Sequence, residues 1–371
     1  MRRGVSLLPV VSLWGLAVAW AGTGTWTVSP APNRGSLSNF LNGIAVTPEG
    51  SAWAVGHSYD QQLASYRTLA ERWDGSRWQI VSSPNVGTGY NDLYGVATTG
   101  STSAVAVGYS RQTAYTSART LAVKWDGSSW RTTVTPNPGS TDNVLYGVAA
   151  LASDNAWAVG GYYDASGVGR PLITHWDGTR WSLVDAPRPS TSFSILQSVA
   201  ASGPNDVWAG GYASLNGRYS TLLMHWNGAA WSVVPSPNVG TKANRIRAVA
   251  VLPTGEAWAV GDSQTSLILH WDGVSWRVVD RPLIGTYSTL WGVTAAQSND
   301  VWAVGYYRDG AIEPLIMHWD GGSWTLGSAT VNAANPWLTS VSGGTGAGLW
   351  AAGTAPNGTA DRVLILKGPG R

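Results

Sequence analysis

One seven-residue unit recurs down the chain: a basic residue followed by W-D-G-x-x-W, with His175-Trp176-Asp177-Gly178-Thr179-Arg180-Trp181 as its clearest copy. Asp-Gly between apolar runs is a tight-reversal signal, so one strand ends on the first Trp and the next opens on the second. The second Trp appears as Trp78, Trp130, Trp181, Trp231, Trp276 and Trp324, each leading into a short β-rich run. A seventh copy is displaced. Trp26-Thr27-Val28-Ser29-Pro30 stands near the N-terminus with no W-D-G before it, while the last repeat, ending Ile365-Leu366-Lys367-Gly368, has no such strand after it.

Two further strands precede each corner. An L-x-[GSA]-[VI]-[AST] run begins at Leu41, Leu93, Leu145, Leu196, Ile246, Leu290 and Leu338, with spacings of 52, 52, 51, 50, 44 and 48 residues. A W-A-V-G-like run follows at Trp53, Trp157, Trp208, Trp258, Trp302 and Trp350, with Val105 in the Trp place of the second repeat. Four short antiparallel strands in a repeat of that length are the pattern of a propeller blade. The expected fold is therefore all-β: a seven-bladed β-propeller over residues 22–371, with the strand at Trp26 completing the last blade.

Composition agrees. Of 23 tryptophans, nineteen fall at three repeat positions; Trp14 and Trp20 precede the repeats, leaving Trp291 and Trp337 outside the pattern. Rings of that size suit the widening gaps between outer strands. The innermost strands crowd the axis, which explains small residues at Gly43, Gly95, Gly147, Ser198, Ala248, Gly292 and Ser340.

The D-G-x-x-W corner resembles the Asp-box hairpin of sialidase-type propellers, and W-A-V-G is similar to kelch-like and related exported bacterial propellers. The Asp-box pattern, S-x-D-x-G-x-x-W, carries a residue between Asp and Gly that this chain lacks. The Asp box is itself structural, so the resemblance implies a fold and brings over no catalytic site.

Residues 1–21 read as a secretory leader: Arg2 and Arg3, an apolar stretch from Val5 to Ala19, and Ala19-Trp20-Ala21 as the cleavage site. The expected location is extracellular or cell-surface, with no membrane association after cleavage. Net charge is +2, with only Lys124, Lys242 and Lys367 as lysines and no basic run beyond two residues, so no nucleic-acid footprint is present. Zero cysteines exclude disulfides, thiolate metal sites and a cysteine nucleophile.

Four of the five histidines, His175, His225, His270 and His318, precede W-D-G, where the other repeats place Arg72, Lys124 and Lys367. Equivalent positions in different blades diverge from the axis and cannot share one ion. They are expected to pair with the aspartate of their own hairpin, and no metal or other cofactor is expected. The turn aspartates Asp74, Asp126, Asp177, Asp272 and Asp320, with Asn227 as the sixth, are expected to cap their own reversals. Arg67, Arg119, Arg170 and Arg362 begin the third strand in four repeats, and structural anchoring is expected of them rather than a convergent carboxylate site.

Candidate ligand-binding residues come from two places. The second position of the first strand varies freely, as Asn42, Tyr94, Tyr146, Gln197, Arg247, Trp291 and Thr339, and would form a ring at the channel mouth. The links between second and third strands are rich in Tyr, Arg and Asp, above all Tyr306-Tyr307-Arg308-Asp309. Such side chains stack on sugar rings and bond hydroxyls. The reading is a monomeric, secreted, non-enzymatic module that binds carbohydrate or another extracellular polymer. One alternative is a glycoside hydrolase or polysaccharide lyase using Asp60, Asp164, Asp262, Asp309 or Glu313; another is a cell-surface scaffold for a protein ligand.

Overall fold

Each W-D-G-x-x-W corner is built by its aspartate. Asp177 Oδ1 accepts the backbone N–H groups of Thr179 and Arg180, both at 2.9 Å, and the flanking Trp176 and Trp181 become directly paired strand partners. Gly178, at φ 94°, takes the left-handed conformation the reversal needs. Asn227 does the same work at 3.0 and 3.1 Å, since only a side-chain carbonyl oxygen is required. Asp74, Asp126, Asp272 and Asp320 repeat the geometry, and their exposed carboxyls are held below the ordinary range, chiefly by the Ser76 hydroxyl at Asp74, by Arg131 at Asp126 and by the backbone N–H groups at Asp272 and Asp320.

The computed structural model describes residues 24–344 and 346–370, so the leader expected at residues 1–21 lies outside the described residues. Seven sheets form a seven-bladed β-propeller. Blade one comprises Asn39–Val46, Ala52–Asp60, Ser65–Trp73 and Trp78–Val81, in order from the axis outward. Blades two to six repeat this order over residues 91–133, 143–183, 194–234, 245–278 and 287–326. Blade seven takes its first three strands, Trp337–Gly344, Gly348–Asn357 and Ala360–Lys367, from the C-terminal end.

Its fourth strand is Thr25–Val28, antiparallel to the third, with Thr27 opposite Lys367 and Val28 opposite Leu366. The sequence pattern does not foretell a fifth strand. Ser328–Ala329, just past the outer strand of blade six, pairs in parallel with Thr25 and Trp26, covering the edge of blade seven. At the axis the ring closes through Ile44 N–H and Val46 N–H, which donate to Ser340 Oγ and Ser342 Oγ at 3.2 and 3.1 Å.

Blades are held together by indoles. The second-strand Trp of one blade inserts between the third- and fourth-strand Trp of the next. Trp53 meets Trp125 and Trp130 at centroid distances of 4.9 and 4.8 Å, and Trp157, Trp208, Trp258 and Trp350 repeat the arrangement. Such near-edge pairs add about 0.5–1.5 kcal/mol each beyond area burial.

The residue before W-D-G does not pair with its hairpin aspartate as expected. It lies opposite the second-strand Trp in register, and its ring stacks there: His175 on Trp157 at 4.5 Å, His318 on Trp302 at 4.3 Å. Its outer nitrogen meets the polar residue that opens the second strand, as His225 does Asp206 at 2.8 Å and His175 does Asn155 at 2.9 Å. Burial lowers the His175 and His270 pKa values. A cross-strand neighbour lies closer to the ring than the corner does.

Candidate binding site at the channel mouth

Every first strand carries a β-bulge at the same place. In blade one Leu41 pairs with Gly56 and Gly43 with Val55, so Asn42 is skipped; Tyr94, Tyr146, Gln197, Arg247, Trp291 and Thr339 are skipped likewise. A bulge re-aims the extra side chain. Here all seven, each half-buried, are turned onto an axial cavity of about 490 Å³. The sequence did hold a sign of this. A Cβ on Gly56, the last residue of W-A-V-G in blade one, would stand 2.0 Å from the Phe40 carbonyl, so the bulge forces glycine opposite it.

The cavity walls stay open because their residues are small. A Cβ on Gly147 would come within 2.9 Å of the Ser198 Cα in the next blade. The mouth bearing the seven bulged residues is the face of the second-to-third hairpins, because first strands begin where second strands end.

Two clusters form around the ring. In the first, Arg247 lies over the Trp291 ring at 4.4 Å, its Nε donates to Asp262 Oδ1 at 2.9 Å, and its Nη1 to Gln197 Oε1 at 3.1 Å. Asp262, 2 % exposed, also accepts from Arg245 Nη1 at 3.0 Å, and Arg245 lies over Tyr219 at 5.2 Å. The carboxylate is thus neutralised within the protein. The Trp291 indole N–H has no hydrogen-bond partner.

The second cluster is phenolic. Tyr94 stands 5.3 Å from Tyr146 and 5.9 Å from Tyr109. Asp92, 5 % exposed, accepts from Asn42 Nδ2 at 2.9 Å and meets His57 Nδ1 at 2.7 Å. Burial, reinforced by this carboxylate, raises the Tyr94 phenol above its ordinary value, and burial pushes Tyr146 up to about 12. Both remain neutral hydroxyls through the physiological range. Asp92, Tyr109 and Arg245 were not singled out in the sequence, because nothing in the repeat marks their closeness to the bulges.

The second group of candidates lies elsewhere. Tyr306, Tyr307, Arg308 and Asp309 end the second strand of blade six, Asp300–Asp309, rather than a loop, and only Gly310 stands between Asp309 and its partner Ala311. Strand alternation separates them. Tyr306 faces Tyr287 at 6.0 Å, Tyr307 packs against the apolar cluster shared with blade five, and Arg308 and Asp309 are exposed at the tip. Among the four, none lines the axial cavity.

Other carboxylates proposed for hydrolysis are committed locally. Asp60 caps Gln62 and Leu63, and Asp164 caps Ser166 and Val168 while paired with Arg170 at 2.9 Å. Asp309 and Glu313 are exposed in the blade-six hairpin. Arg67, Arg119, Arg170 and Arg362 donate to carbonyls of the segments between blades, as Arg362 does to Leu37 and Ser36, so they do not converge. Among the described residues no cluster of three or more His, Asp or Glu could hold a metal ion, and no helix is long and apolar enough to cross a membrane.

No protein-family model matches the sequence, and no curated protein does. Solved structures do match in shape. YCF48 bound to D1 peptide is 14 % identical with a TM-score of 0.57, covering 93 % of this chain and 95 % of that one. YCF48 from Cyanidioschyzon merolae is 16 % identical with a TM-score of 0.56, covering 93 % and 99 %. The WD40 β-propeller domain of Doa1 is 12 % identical with a TM-score of 0.58, covering 92 % and 96 %. At these identities the likeness is one of architecture: the chain shares the propeller fold of YCF48-type and WD40 proteins.

Proposed function

We propose that this propeller is a non-enzymatic module that holds an extended polypeptide segment of a partner protein across the channel mouth. The observation that carries the reading is the ring of seven bulged side chains, in which Tyr94, Tyr146 and Trp291 offer aromatic faces and Asn42, Gln197 and Thr339 offer amides and a hydroxyl. Such a surface packs aliphatic side chains and bonds backbone amides without favouring either charge, since Arg247 is balanced by Asp262. The architectural likeness to YCF48 bound to D1 peptide supports a peptide as occupant. Export through the leader at residues 1–21 forms part of the proposal and places the partner outside the cell.

Carbohydrate is the second reading, favoured by the same aromatic faces standing beside amides. Fluorescence titration against an array of uncharged synthetic peptides, run beside native gels cast with soluble polysaccharides, tests both. Saturable peptide binding weakened about tenfold or more by Trp291→Ala or Tyr94→Ala upholds the first. Gel retardation without peptide binding replaces it with the second, and a protein inert in both assays removes both.

A further inference from the structure

The hairpins that join second to third strands wall the channel mouth, and the one in blade five is short. The glycine that ends each W-A-V-G-like run pairs with a third-strand leucine, so the residues between the two measure the hairpin. In blade five Gly261 pairs with Leu267, and only residues 262–266 intervene. Residues 212–221 intervene in blade four and residues 306–314 in blade six. Beyond the level of the Asp262–Ser266 pair, where blade five turns, both neighbours add three more strand pairs, ending with Leu215 opposite Arg218 and Asp309 opposite Ala311. At about 3.3 Å per residue, the rim of the mouth drops by roughly 10 Å at blade five. The loss is also the reason that the spacing of 44 residues from Ile246 to Leu290 is the shortest between first strands.

The low hairpin is pinned in place. Ser263 N–H donates to Thr265 O at 2.8 Å, with Gln264 between them at φ 82°, a conformation that costs any residue but glycine. Arg281 Nη2 donates to Thr265 Oγ1 at 3.1 Å, and Ser266 N–H to Ser288 Oγ in blade six at 2.9 Å.

The gap opens on the part of the ring where Arg247 lies over Trp291. Asp262 is the last residue before the turn, and its one negative charge is shared by Arg245 and Arg247, at 3.0 and 2.9 Å. One positive charge is therefore left over. It falls to Arg245, whose side chain is 29 % exposed against 15 % for Arg247, and which lies over Tyr219 of the taller blade-four hairpin at 5.2 Å.

We propose that the partner segment leaves the channel mouth over blade five, running across the Asp262–Ser266 hairpin and setting one acidic side chain against Arg245. This inference rests on the peptide reading above and adds to it a direction and a charge. The taller hairpins of blades four and six stand on either side of the path. A carboxylate arriving there forms charge-assisted hydrogen bonds with a guanidinium that is already held against an aromatic ring.

The test uses the array peptides that bind, resynthesised with one glutamate or one lysine added at either end. At one of the two ends, glutamate should bind about threefold or more tighter than lysine, and Arg245→Gln should abolish that preference. Because the chain has no cysteine, a label can be confined to one introduced site on the folded protein. Maleimide-polyethylene glycol on Gln264→Cys, in the gap, should weaken peptide binding about tenfold or more relative to the unlabelled variant. The same label on Tyr115→Cys, fully exposed on the blade-two hairpin, should not. Equal effects of the two labels, no effect of the label at position 264, or no glutamate preference at either end overturns the proposal while leaving the peptide reading in place. An array without a binder removes both. The label comparison decides the matter even where Arg245→Gln fails to fold.

Discussion

Arg247 and Trp291 stand in contact across the seam between blades five and six, guanidinium over indole at 4.4 Å, each the bulged residue of its own first strand. The contact joins two positions that the repeat leaves free to vary. It also ties Trp291 to Asp262, since the same guanidinium holds that buried carboxylate.

Truncating the two partners therefore has different results. Arg247→Ala leaves Asp262 with Arg245 alone and lowers stability by about 1–3 kcal/mol. Trp291→Ala removes a half-buried ring facing the cavity and leaves the ion pairs intact, so its main effect falls on ligand capture. Urea unfolding of the two variants, run beside the peptide titration, separates these outcomes; equal stability losses would contradict the assignment.

Glu71 gives the propeller an acid-favoured stability. It is fully buried in the third strand of blade one, where the corresponding residues of blades two, four, five, six and seven are Val123, Met224, Leu269, Met317 and Leu366, and neither of its oxygens has a hydrogen-bond partner. Burial pushes its carboxyl up to about 8, against the opposing pull of Arg34. The folded state then binds a proton that the unfolded chain releases near ~4.3. This contribution is complete below ~4.3 and is lost as pH rises through the folded value of about 8. The melting temperature should be higher at pH 5 than at pH 8, and Glu71→Gln should flatten the difference.

The closing strand is expected to carry a large share of ring stability through one side chain. Trp26 is 1 % exposed and packs on Trp302, so Trp26→Ala should cost about 3–5 kcal/mol. A chain starting at residue 31 should melt at least as early. Calorimetry showing the wild-type midpoint in either variant would rule out closure through this strand.

Blade two offers the converse change. Val105 replaces the inserted indole, and Lys124 swings over Trp176 at 4.2 Å with its Nζ donating to Ser153 O, leaving a void of about 10 Å³. Val105→Trp alone has no room and should destabilise by about 1–3 kcal/mol. Paired with Lys124→His, which restores the stacked ring of neighbouring blades, it should recover that loss and add about 0.5–2 kcal/mol. Thermal denaturation of both variants checks the sign of each step.

Much of this architecture is legible in the sequence because it rests on local chemistry repeated seven times. Asp177 and Asn227 announce their turns, and Trp26 reveals the closing strand by standing where no repeat requires it. Relations across strands are less visible. His175 reads as the neighbour of Asp177 along the chain, yet its ring lies on Trp157, eighteen positions away. Tyr306–Asp309 look like a loop because polar and aromatic residues cluster there, but a single Gly310 makes the turn and leaves them in a strand whose alternation sends Tyr306 and Tyr307 apart. The bulges escape a period-two reading altogether. Only the glycine opposite each of them betrays the extra residue, and its meaning is steric rather than conformational.

The pairing of Thr27 with Lys367 and Val28 with Leu366 also sets how the ring responds to force. In an antiparallel pair joined this way the two free ends leave from the same side, so tension between them loads the hydrogen bonds one after another and not all at once. Blade seven would peel open like a zipper at low force, whereas the same tension applied across a blade interior would have to shear several strands together. A propeller tethered by both ends would therefore open at this seam while its other six blades kept their shape.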